Sequence, residues 1–163
     1  MFRTLILPIL LATLTTSNDL VIYNFCGRPV YTWHQRHSIN ALPPLQSDAH
    51  IKMALSPDPQ SGGANIILSF DPKGIDNSAA PKIQLSYQAV HPDEDYELWY
   101  ALSNLKGKML EGRMLDMGVV GEPRCERLEW KGGVGDERVK VCKRFKYSNL
   151  RLCTETLVGK EMG

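Results

Sequence analysis

Strict alternation of apolar and polar side chains marks the segment Lys82-Ile83-Gln84-Leu85-Ser86-Tyr87-Gln88. In an extended chain this pattern places Ile83, Leu85 and Tyr87 on one face and only polar side chains on the other. Such a segment is typical of a half-buried antiparallel strand, with one face on a core and one face in water. It predicts a protein built from sheets whose outer faces are solvated.

Nine further segments show the same period of two, with more interruptions. Clusters of Gly and Pro separate them, for example Pro43-Pro44, Asp71-Pro72-Lys73-Gly74 and Gly132-Gly133. About ten short strands at this spacing, without sustained helical periodicity, predict an all-β sandwich. The nine segments are residues 20–25, 29–34, 50–55, 65–70, 96–101, 113–120, 126–131, 137–142 and 149–154.

The beginning of the chain has the order of a secretory signal peptide. Arg3 precedes an apolar run over residues 5–14, and small polar residues follow at 15–17. A membrane-spanning helix needs about 20 apolar residues, and this run is about half that length. We therefore expect a signal peptide at residues 1–17 that is cleaved after Ser17, and a secreted, extracellular protein. By its length the remainder, residues 18–163, is a single domain.

The charge of the predicted mature chain is balanced. Removing the leader removes Arg3 and no acid, so Lys plus Arg falls from 19 to 18 against 18 acidic residues. Binding to nucleic acid or to an anionic membrane needs a surplus of Lys and Arg, so we expect neither partner. We expect the mature protein to be a monomer.

Four cysteines, Cys26, Cys125, Cys142 and Cys153, lie in the predicted mature chain. An even count behind a signal peptide is typical of two disulfides, for which three pairings are possible. Zinc is the competing use, but the spacings contain no paired C-x-x-C. A hairpin with its turn at Gly133-Val134 would place Cys125 opposite Cys142, which favours that pair and leaves Cys26 with Cys153.

The same hairpin register gives two further expectations. It places Leu128 against Val139 on one face. It also faces Arg127 with Lys140, a like-charge pair that costs up to about 1 kcal/mol. The remaining disulfide, Cys26–Cys153, would tie the first strand to the last.

Three separated segments carry a family pattern. The first is Asn24-Phe25-Cys26-Gly27-Arg28-Pro29-Val30-Tyr31-Thr32-Trp33, and the second is Leu98-Trp99-Tyr100-Ala101-Leu102-Ser103-Asn104-Leu105-Lys106-Gly107. The third runs from Cys125-Glu126-Arg127-Leu128-Glu129-Trp130 through Val139-Lys140-Val141-Cys142 to Leu150-Arg151-Leu152-Cys153. In this order they resemble the fungal secreted proteins that carry the Blastomyces yeast-phase-specific domain, a branch of the thaumatin-like proteins. The resemblance implies an extracellular, thaumatin-like antiparallel β-sandwich that is braced by disulfides.

Two positions depart from that family pattern. The family commonly has Asp where this chain has Ala101, and a further Cys where this chain has Glu129. The resemblance implies a protein of fungi that live on or in hosts, often discussed as a candidate effector, with no settled activity. Plant thaumatin-like relatives are linked to antifungal action and to β-glucan binding through an acidic cleft.

Two groups of ionisable residues are candidate sites. His34 and His37 form an H-x-x-H pair, but residues three apart on a strand face opposite sides, which favours a solvated loop over a metal site. The stretch His91-Pro92-Asp93-Glu94-Asp95-Tyr96-Glu97 offers carboxylates for glycoside hydrolysis or calcium binding. Adjacent acids on an exposed turn ordinarily stay ionised and solvated, so we predict a plain loop. We predict no catalytic residue, no metal and no cofactor.

Aromatic and basic residues give two more candidate sites. Trp33, Trp99 and Trp130 fit a sandwich core better than a sugar-stacking platform, because aromatic residues within strands usually fill cores. A basic segment near the C-terminus fits an edge strand whose Lys side chains prevent pairing with another chain better than it fits a binding site for a polyanion. Its residues are Lys140, Lys143, Arg144 and Lys146, interleaved with Phe145 and Tyr147.

These observations predict a secreted, non-enzymatic binding protein, a fungal effector or virulence-associated factor that acts on a host protein. No nucleophile elbow and no phosphate-binding glycine motif is present in the sequence. The alternative is a protein that binds β-glucan or another cell-wall glycan, or a weak glucanase of the thaumatin-like type. An inhibitor of secreted hydrolases, acting through the loop at residues 56–63, is a third possibility.

Overall fold

The computed structural model describes residues 18–55, 60, 62–90, 96–121, 125–132 and 134–154. These residues form strands, turns and loops, so the all-β prediction is confirmed. None of the described residues form a helix with the length and hydrophobicity that crossing a bilayer requires. The strands are β1 (Asp19–Asn24), β2 (Tyr31–Gln35), β3 (Ile39–Ala41), β4 (Ala49–Ala54), β5 (Ala64–Ser69), β6 (Lys82–Val90), β7 (Glu97–Lys106), β8 (Met114–Val120), β9 (Leu128–Lys131), β10 (Val134–Gly135), β11 (Lys140–Lys143) and β12 (Tyr147–Thr154).

The strands form two six-stranded sheets, which is the predicted sandwich. Sheet 1 has the order β10-β9-β8-β12-β1-β4, and sheet 2 has the order β11-β7-β6-β5-β2-β3. The pairing is antiparallel except between β1 and β12, which run parallel. Parallel neighbours need a long connection between them, and here the rest of the chain supplies it. The first and last strands of the sandwich therefore lie side by side within sheet 1.

Both sheets contribute alternate side chains to one core. Leu20 and Ile22 of β1 in sheet 1 and Ile83 and Leu85 of β6 in sheet 2 are fully buried in the same hydrophobic cluster. Full burial of one such side chain stabilises the fold by about 1.5–3 kcal/mol. The alternation in β6 from which the sandwich is predicted is therefore the alternation that builds its core.

Two strands of the structure are absent from the sequence prediction. β3 has three residues, all of them exposed, so it lacks the apolar positions that mark a half-buried strand. β10 has only two residues. Both segments are strands because they pair with a neighbouring strand, and neither needs a buried face for that. A search for alternating hydrophobic residues does not detect such pairing.

The predicted C-terminal hairpin register is wrong. β9 pairs with β10 through Val134 opposite Lys131 and Gly135 opposite Trp130, and this two-strand ladder contains no further pair. The chain then crosses to sheet 2, where Lys140 of β11 lies opposite Tyr100 of β7. Neither the Leu128–Val139 pair nor the Arg127–Lys140 pair forms, because their strands belong to different sheets.

Two disulfides join the same pairs of cysteines that the sequence favours. Cys26–Cys153, with Cα atoms 4.9 Å apart, links the ends of the adjacent strands β1 and β12. Cys125–Cys142, with Cα atoms 5.0 Å apart, links the segment before β9 in sheet 1 to β11 in sheet 2. The second bridge therefore joins the two sheets, and it is not the cross-strand link of a hairpin.

A buried asparagine organises the loop that follows β1. The Asn24 side chain is fully buried, and its amide nitrogen lies 2.9, 2.9 and 3.0 Å from the carbonyl oxygens of Arg28, Leu45 and Gln46, which share its two N–H donors. Its Oδ1 accepts from the backbone N–H of Cys26 at 2.9 Å. One side chain therefore satisfies backbone groups of two loops and positions Cys26 for its disulfide.

Candidate functional site

The outer face of sheet 2 carries the groove that we call the Trp99 groove, with a volume of about 440 Å³. Gln35, Asn65, Ser86 and Ala101 lie directly opposite one another on β2, β5, β6 and β7. They form a row across the floor of the groove. Trp99 lies on the same face of β7, two residues from Ala101, at one side of this row.

The amide and hydroxyl groups of the groove floor are hydrogen-bonded to each other and to Gln84, which lies outside the groove lining on the same face of β6 as Ser86. Gln84 Nε2 donates to Asn65 Oδ1 at 2.9 Å and to Ser86 Oγ at 2.7 Å. The Ser86 hydroxyl donates to Asn65 Oδ1 at 2.8 Å, and Asn65 Nδ2 donates to Gln35 Oε1 at 3.4 Å. These groups lie on a solvated face, so they are able to exchange these partners for the polar groups of a ligand.

An apolar strip borders the polar floor. Trp99 is 44% exposed, and Val141 of β11 lies directly opposite it and is 42% exposed. Val139, just before β11, lines the groove and is 63% exposed. β11 is the outermost described strand on its side of sheet 2, so the strip also borders a sheet edge. Three large apolar side chains on one edge form a surface that is suited to contact with another molecule.

The described lining of the groove has little charge. Arg36 is its one charged residue, and no carboxylate is among the described lining residues. Arg36 Nη2 donates to the Tyr87 hydroxyl at 3.5 Å, and His34 Nε2 lies 2.9 Å from the same oxygen. Burial, and secondly the charge of Arg36, lower the pKa of His34. The neutral form of His34 is therefore favoured.

The structure places the sequence candidates in different environments. Trp130 is fully buried in the core. Trp33 is also buried, at 5% exposed, but it lies on the outer face of sheet 2, in line with Ile67 and Gln84, and outside the core cluster. The prediction of a core position is therefore right for Trp130 and wrong for Trp33.

The prediction of a core position is also wrong for Trp99, which lies on the outer face of β7. The core side of β7 is taken by Leu98 and Tyr100, and the alternation of the strand turns Trp99 towards solvent.

The histidine and acidic candidates do not form a cluster. His34 contacts Tyr87, His37 is exposed, and in the part of the chain that the structure describes no three His, Cys, Asp or Glu side chains are arranged to hold a metal ion. Residues 91–95 of the acidic stretch lie outside the described residues, as do the leader at 1–17 and most of the loop at 56–63. Glu97, at the end of that stretch, forms a salt bridge of 3.3 Å with Lys143.

The basic C-terminal segment includes an edge strand, as the sequence favours. Lys143 of β11 is exposed, but Lys140 turns inward and its side chain is only 8% exposed. Its ammonium group pairs with Glu126 and with Asp136, 2.9 Å away. Hydrogen bonds to these two carboxylates raise the pKa of Lys140. Lys140 therefore holds β11 in place through its ion pairs, and it does not protect the sheet edge from pairing with another chain.

Most of the chain matches one protein family. The model of the Blastomyces yeast-phase-specific protein family matches residues 7–154. The chain belongs to this family. No curated protein and no solved structure matches the chain. The family match spans all of the residues that line the Trp99 groove.

The sequence pattern identifies only some of the residues that form the groove. The alternation in β6 places Gln84, Ser86 and Gln88 on a polar face, but their joining with Asn65 and Trp99 depends on strand order, which the pattern does not give. The best signal in the sequence is the run of amide and hydroxyl side chains on that one strand face. An ordinary solvated strand has the same pattern, so the signal is weak.

Proposed function

We propose that this family member is a secreted, non-enzymatic binding protein, a fungal effector or virulence-associated factor that acts on a host protein through the Trp99 groove and its apolar strip. The observation that supports the proposal most is the exposure of Trp99, Val139 and Val141 together at one sheet edge. Aromatic residues that are exposed beside an apolar edge are typical anchors of protein interfaces. An open strand edge also accepts an added strand from a partner.

We also propose that the protein is exported and that it is related to the thaumatin-like proteins. Two disulfides and no free cysteine among the described residues are compatible with an oxidising compartment. The signal-peptide pattern of residues 1–17 supports export into such a compartment. The thaumatin-like relation rests on the motif resemblance alone, and an experimental structure superposed on thaumatin tests it.

The experiment for a host protein target uses the mature chain, residues 18–163, and a matched pair of variants. Trp99→Ala removes the groove's indole, while Leu105→Ala removes a side chain on the same strand with nearly the same exposure, 45% against 44%. Immobilised wild-type protein is incubated with host apoplastic extract, and the retained partner is titrated to saturation. We expect Trp99→Ala to abolish saturable retention and Leu105→Ala to preserve it. Equal retention by both variants would contradict the proposed site.

A second candidate function, binding of a neutral cell-wall glycan such as β-glucan, is favoured by the hydrogen-bonded floor of the groove. Gln35 and Asn65 supply planar amides and Ser86 supplies a hydroxyl beside an exposed indole, a combination that suits a sugar ring with its hydroxyl groups. Glycoside hydrolysis ordinarily needs two carboxyl groups across the sugar. The described lining contains none, so this groove supports binding better than cleavage.

Two variants separate the two candidate functions. Asn65→Ala removes floor hydrogen bonds and leaves the apolar strip, whereas Val141→Asp places a charge in the strip outside the groove lining. Retention on insoluble glucan or chitin that is lost in Asn65→Ala and kept in Val141→Asp indicates a glycan. The reverse pattern with the host partner indicates a protein. Absence of glucan retention and of reducing-sugar release in the wild-type protein would remove the glycan candidate.

A further inference from the structure

A second groove, of about 620 Å³, lies on the outer face of sheet 1 and therefore on the side of the sandwich opposite the Trp99 groove. We call it the Asp116 groove. The parallel pairing of β1 and β12 places Tyr23 directly beside Arg151, and the pairing of β12 with β8 places Arg151 beside Asp116. The pairing of the first strand with the last therefore brings an aromatic ring next to a charged cluster.

The charged cluster has one carboxylate and two guanidinium groups. Asp116 is 3% exposed, and its Oδ1 accepts from Arg127 Nη2 at 3.2 Å and from Arg151 Nε and Nη2, both at 2.9 Å. The side chains of Arg127 and Arg151 remain 51% and 42% exposed. Each guanidinium has five N–H donors, so one carboxylate oxygen cannot engage them all. The cluster thus has one net positive charge and further donors that a ligand is able to reach.

Two stacked aromatic rings border the cluster. The rings of Tyr23 and Phe25 are parallel within 6°, with centroids 6.1 Å apart, and Phe25, on one side of this stack, is 43% exposed. His50 of β4 stands beside Tyr23, with centroids 5.4 Å apart. Aromatic faces of this kind pack against the C–H face of a saturated ring, and they remain partly in water until something covers them.

The charges around the groove suit one carboxylate at the arginine pair better than a dianionic group such as a phosphate. Arg127 and Arg151 against Asp116 leave one positive charge for the ligand to neutralise. Glu129 lies directly opposite Asp116 on β9 and is exposed, so it repels additional negative charge at that end. A planar carboxylate also matches the fork of donors on an arginine.

We propose that the Asp116 groove is a binding site for a hexuronic acid residue of an acidic polysaccharide. The sugar ring packs against the exposed Phe25 of the Tyr23–Phe25 stack, its carboxylate pairs with Arg127 and Arg151, and Asn149, which lines the same groove, is placed to bond its hydroxyl groups. Asp116 holds the two guanidinium groups in position. The site lies apart from the Trp99 groove, so this inference goes beyond the proposed function and is tested independently of it.

The test is a titration of the mature chain, residues 18–163, followed by backbone amide NMR shifts and calorimetry. The probes are a galacturonic acid trimer, the galactose trimer of the same linkage, inorganic phosphate and a nucleoside monophosphate. We expect the galacturonic acid trimer to bind, to shift residues of β1, β8 and β12, and to weaken as salt is added. The neutral trimer lacks the carboxylate and should bind at least about tenfold more weakly.

Variants assign the roles of the charged and aromatic residues. Arg151→Gln should weaken the acidic trimer by about 10- to 100-fold, the range for a hydrogen bond to a charged group. Lys131→Gln, which removes an exposed cation of the same sheet outside the groove, should leave the affinity unchanged. Phe25→Ala keeps the charge cluster intact and should also weaken binding, which keeps the proposal testable if Arg151→Gln fails to fold.

Three outcomes would overturn the proposal. One is the absence of binding by the acidic trimer, and a second is equal affinity for the acidic and neutral trimers. The third is tighter binding of phosphate or of the nucleotide, which would assign the groove to a phosphorylated ligand. Because Trp99→Ala leaves this groove untouched, loss of the host partner in that variant does not affect these results.

Discussion

At the residue scale, polar side chains that are buried hold the ends of the strands. Asn24 satisfies backbone groups of two loops, and the Lys140 side chain, on the inner face of β11, lies between Glu126 and Asp136. Buried polar groups stabilise a fold only when their partners are present. The effect of changing such a residue therefore depends on what its partners lose as well as on the residue itself.

Asn24→Ala should destabilise the protein, because it leaves the carbonyl oxygens of Arg28, Leu45 and Gln46 without their side-chain donor. An unpaired buried polar group costs about 1–3 kcal/mol. Urea denaturation measures the loss, with the exposed Asn40→Ala as the control. Equal free energies of unfolding for the two variants would contradict this role of Asn24.

A second substitution at this position, Asn24→Asp, should make the free energy of unfolding depend on pH. A carboxylate oxygen would face carbonyl oxygens where the amide donated, so at neutral pH this variant should be less stable than Asn24→Ala. The repulsion raises the pKa of the introduced carboxyl in the folded state above its unfolded value of about 4, so the penalty should shrink as pH falls through that raised pKa and be absent below about pH 4. A penalty that does not depend on pH would contradict this explanation.

Tyr100 gives a prediction about alkaline pH. Burial, followed by the nearby charge of Glu126, raises the pKa of Tyr100 to about 12, and its hydroxyl donates to the carbonyl oxygen of Glu126. The neutral phenol is therefore favoured in the folded state. Its contribution to stability is complete below about pH 10, the pKa of an exposed tyrosine, and is lost as pH rises towards 12.

Ultraviolet titration of tyrosinate formation tests this contribution. We expect the last titration step of the wild-type protein, near pH 12, to be absent from Tyr100→Phe and present in the exposed-tyrosine control Tyr147→Phe. The free energy of unfolding should also fall less steeply above pH 10 in Tyr100→Phe. Loss of the last step in the control variant alone would refute the assignment to Tyr100.

At the element scale, the glycines of two strands meet different surroundings. A Cβ atom on Gly135 of β10 would lie 1.6 Å from Cδ1 of Trp130 on the paired strand β9. A Cβ atom on Gly118 of β8 would meet no atom within 4 Å. The close approach of β10 to the indole therefore requires glycine at position 135. Position 118, in contrast, has room for a side chain.

Gly135→Ala should therefore destabilise the protein by about 1–3 kcal/mol, the usual cost of overpacking, and change the fluorescence of Trp130. Gly118→Ala should be neutral or stabilise the protein by up to about 1 kcal/mol, because alanine suits a strand better than glycine. Thermal and denaturant unfolding of the two variants measure the difference. Equal stabilities would show that the β9–β10 pair adapts without strain.

The sequence predicts elements better than it predicts their partners. The alternation in β6 is sufficient for the sandwich, and the strand positions follow from similar patterns. The predicted register of the C-terminal hairpin is wrong because residues 128–142 divide between two sheets. A turn motif in the sequence does not show that the chain crosses from one sheet to the other after it. Trp99 shows the same limit, since the choice of buried face on β7 depends on which sheet covers it.

At the scale of the whole molecule, two disulfides constrain the sandwich at different points. Cys26–Cys153 joins residues 127 apart in sequence, and Cys125–Cys142 joins residues 17 apart. In the chain-entropy account, the longer loop contributes nearly 5 kcal/mol and the shorter one about 3 kcal/mol. The long bridge reinforces the parallel β1–β12 pair, while the short one links β11 to sheet 1.

Replacing Cys26 and Cys153 with Ser should therefore lower the free energy of unfolding more than replacing Cys125 and Cys142. Loss of the short bridge should loosen β11, so that double variant should reduce target binding at Val141 beyond its effect on stability. Denaturation and binding measured on both double variants test this division of roles. A larger stability loss from the short bridge, or no change in binding, would count against it.

We propose an exported sandwich in which disulfides join the first strand to the last and one sheet to the other. The most direct measurement is the intact mass of the protein recovered from the medium of its native producer. We predict a chain that begins at Asn18 and is four hydrogen atoms lighter than the fully reduced form, as two disulfides require. A chain found only inside the cell, with residues 1–17 retained and four free thiols, would contradict the account.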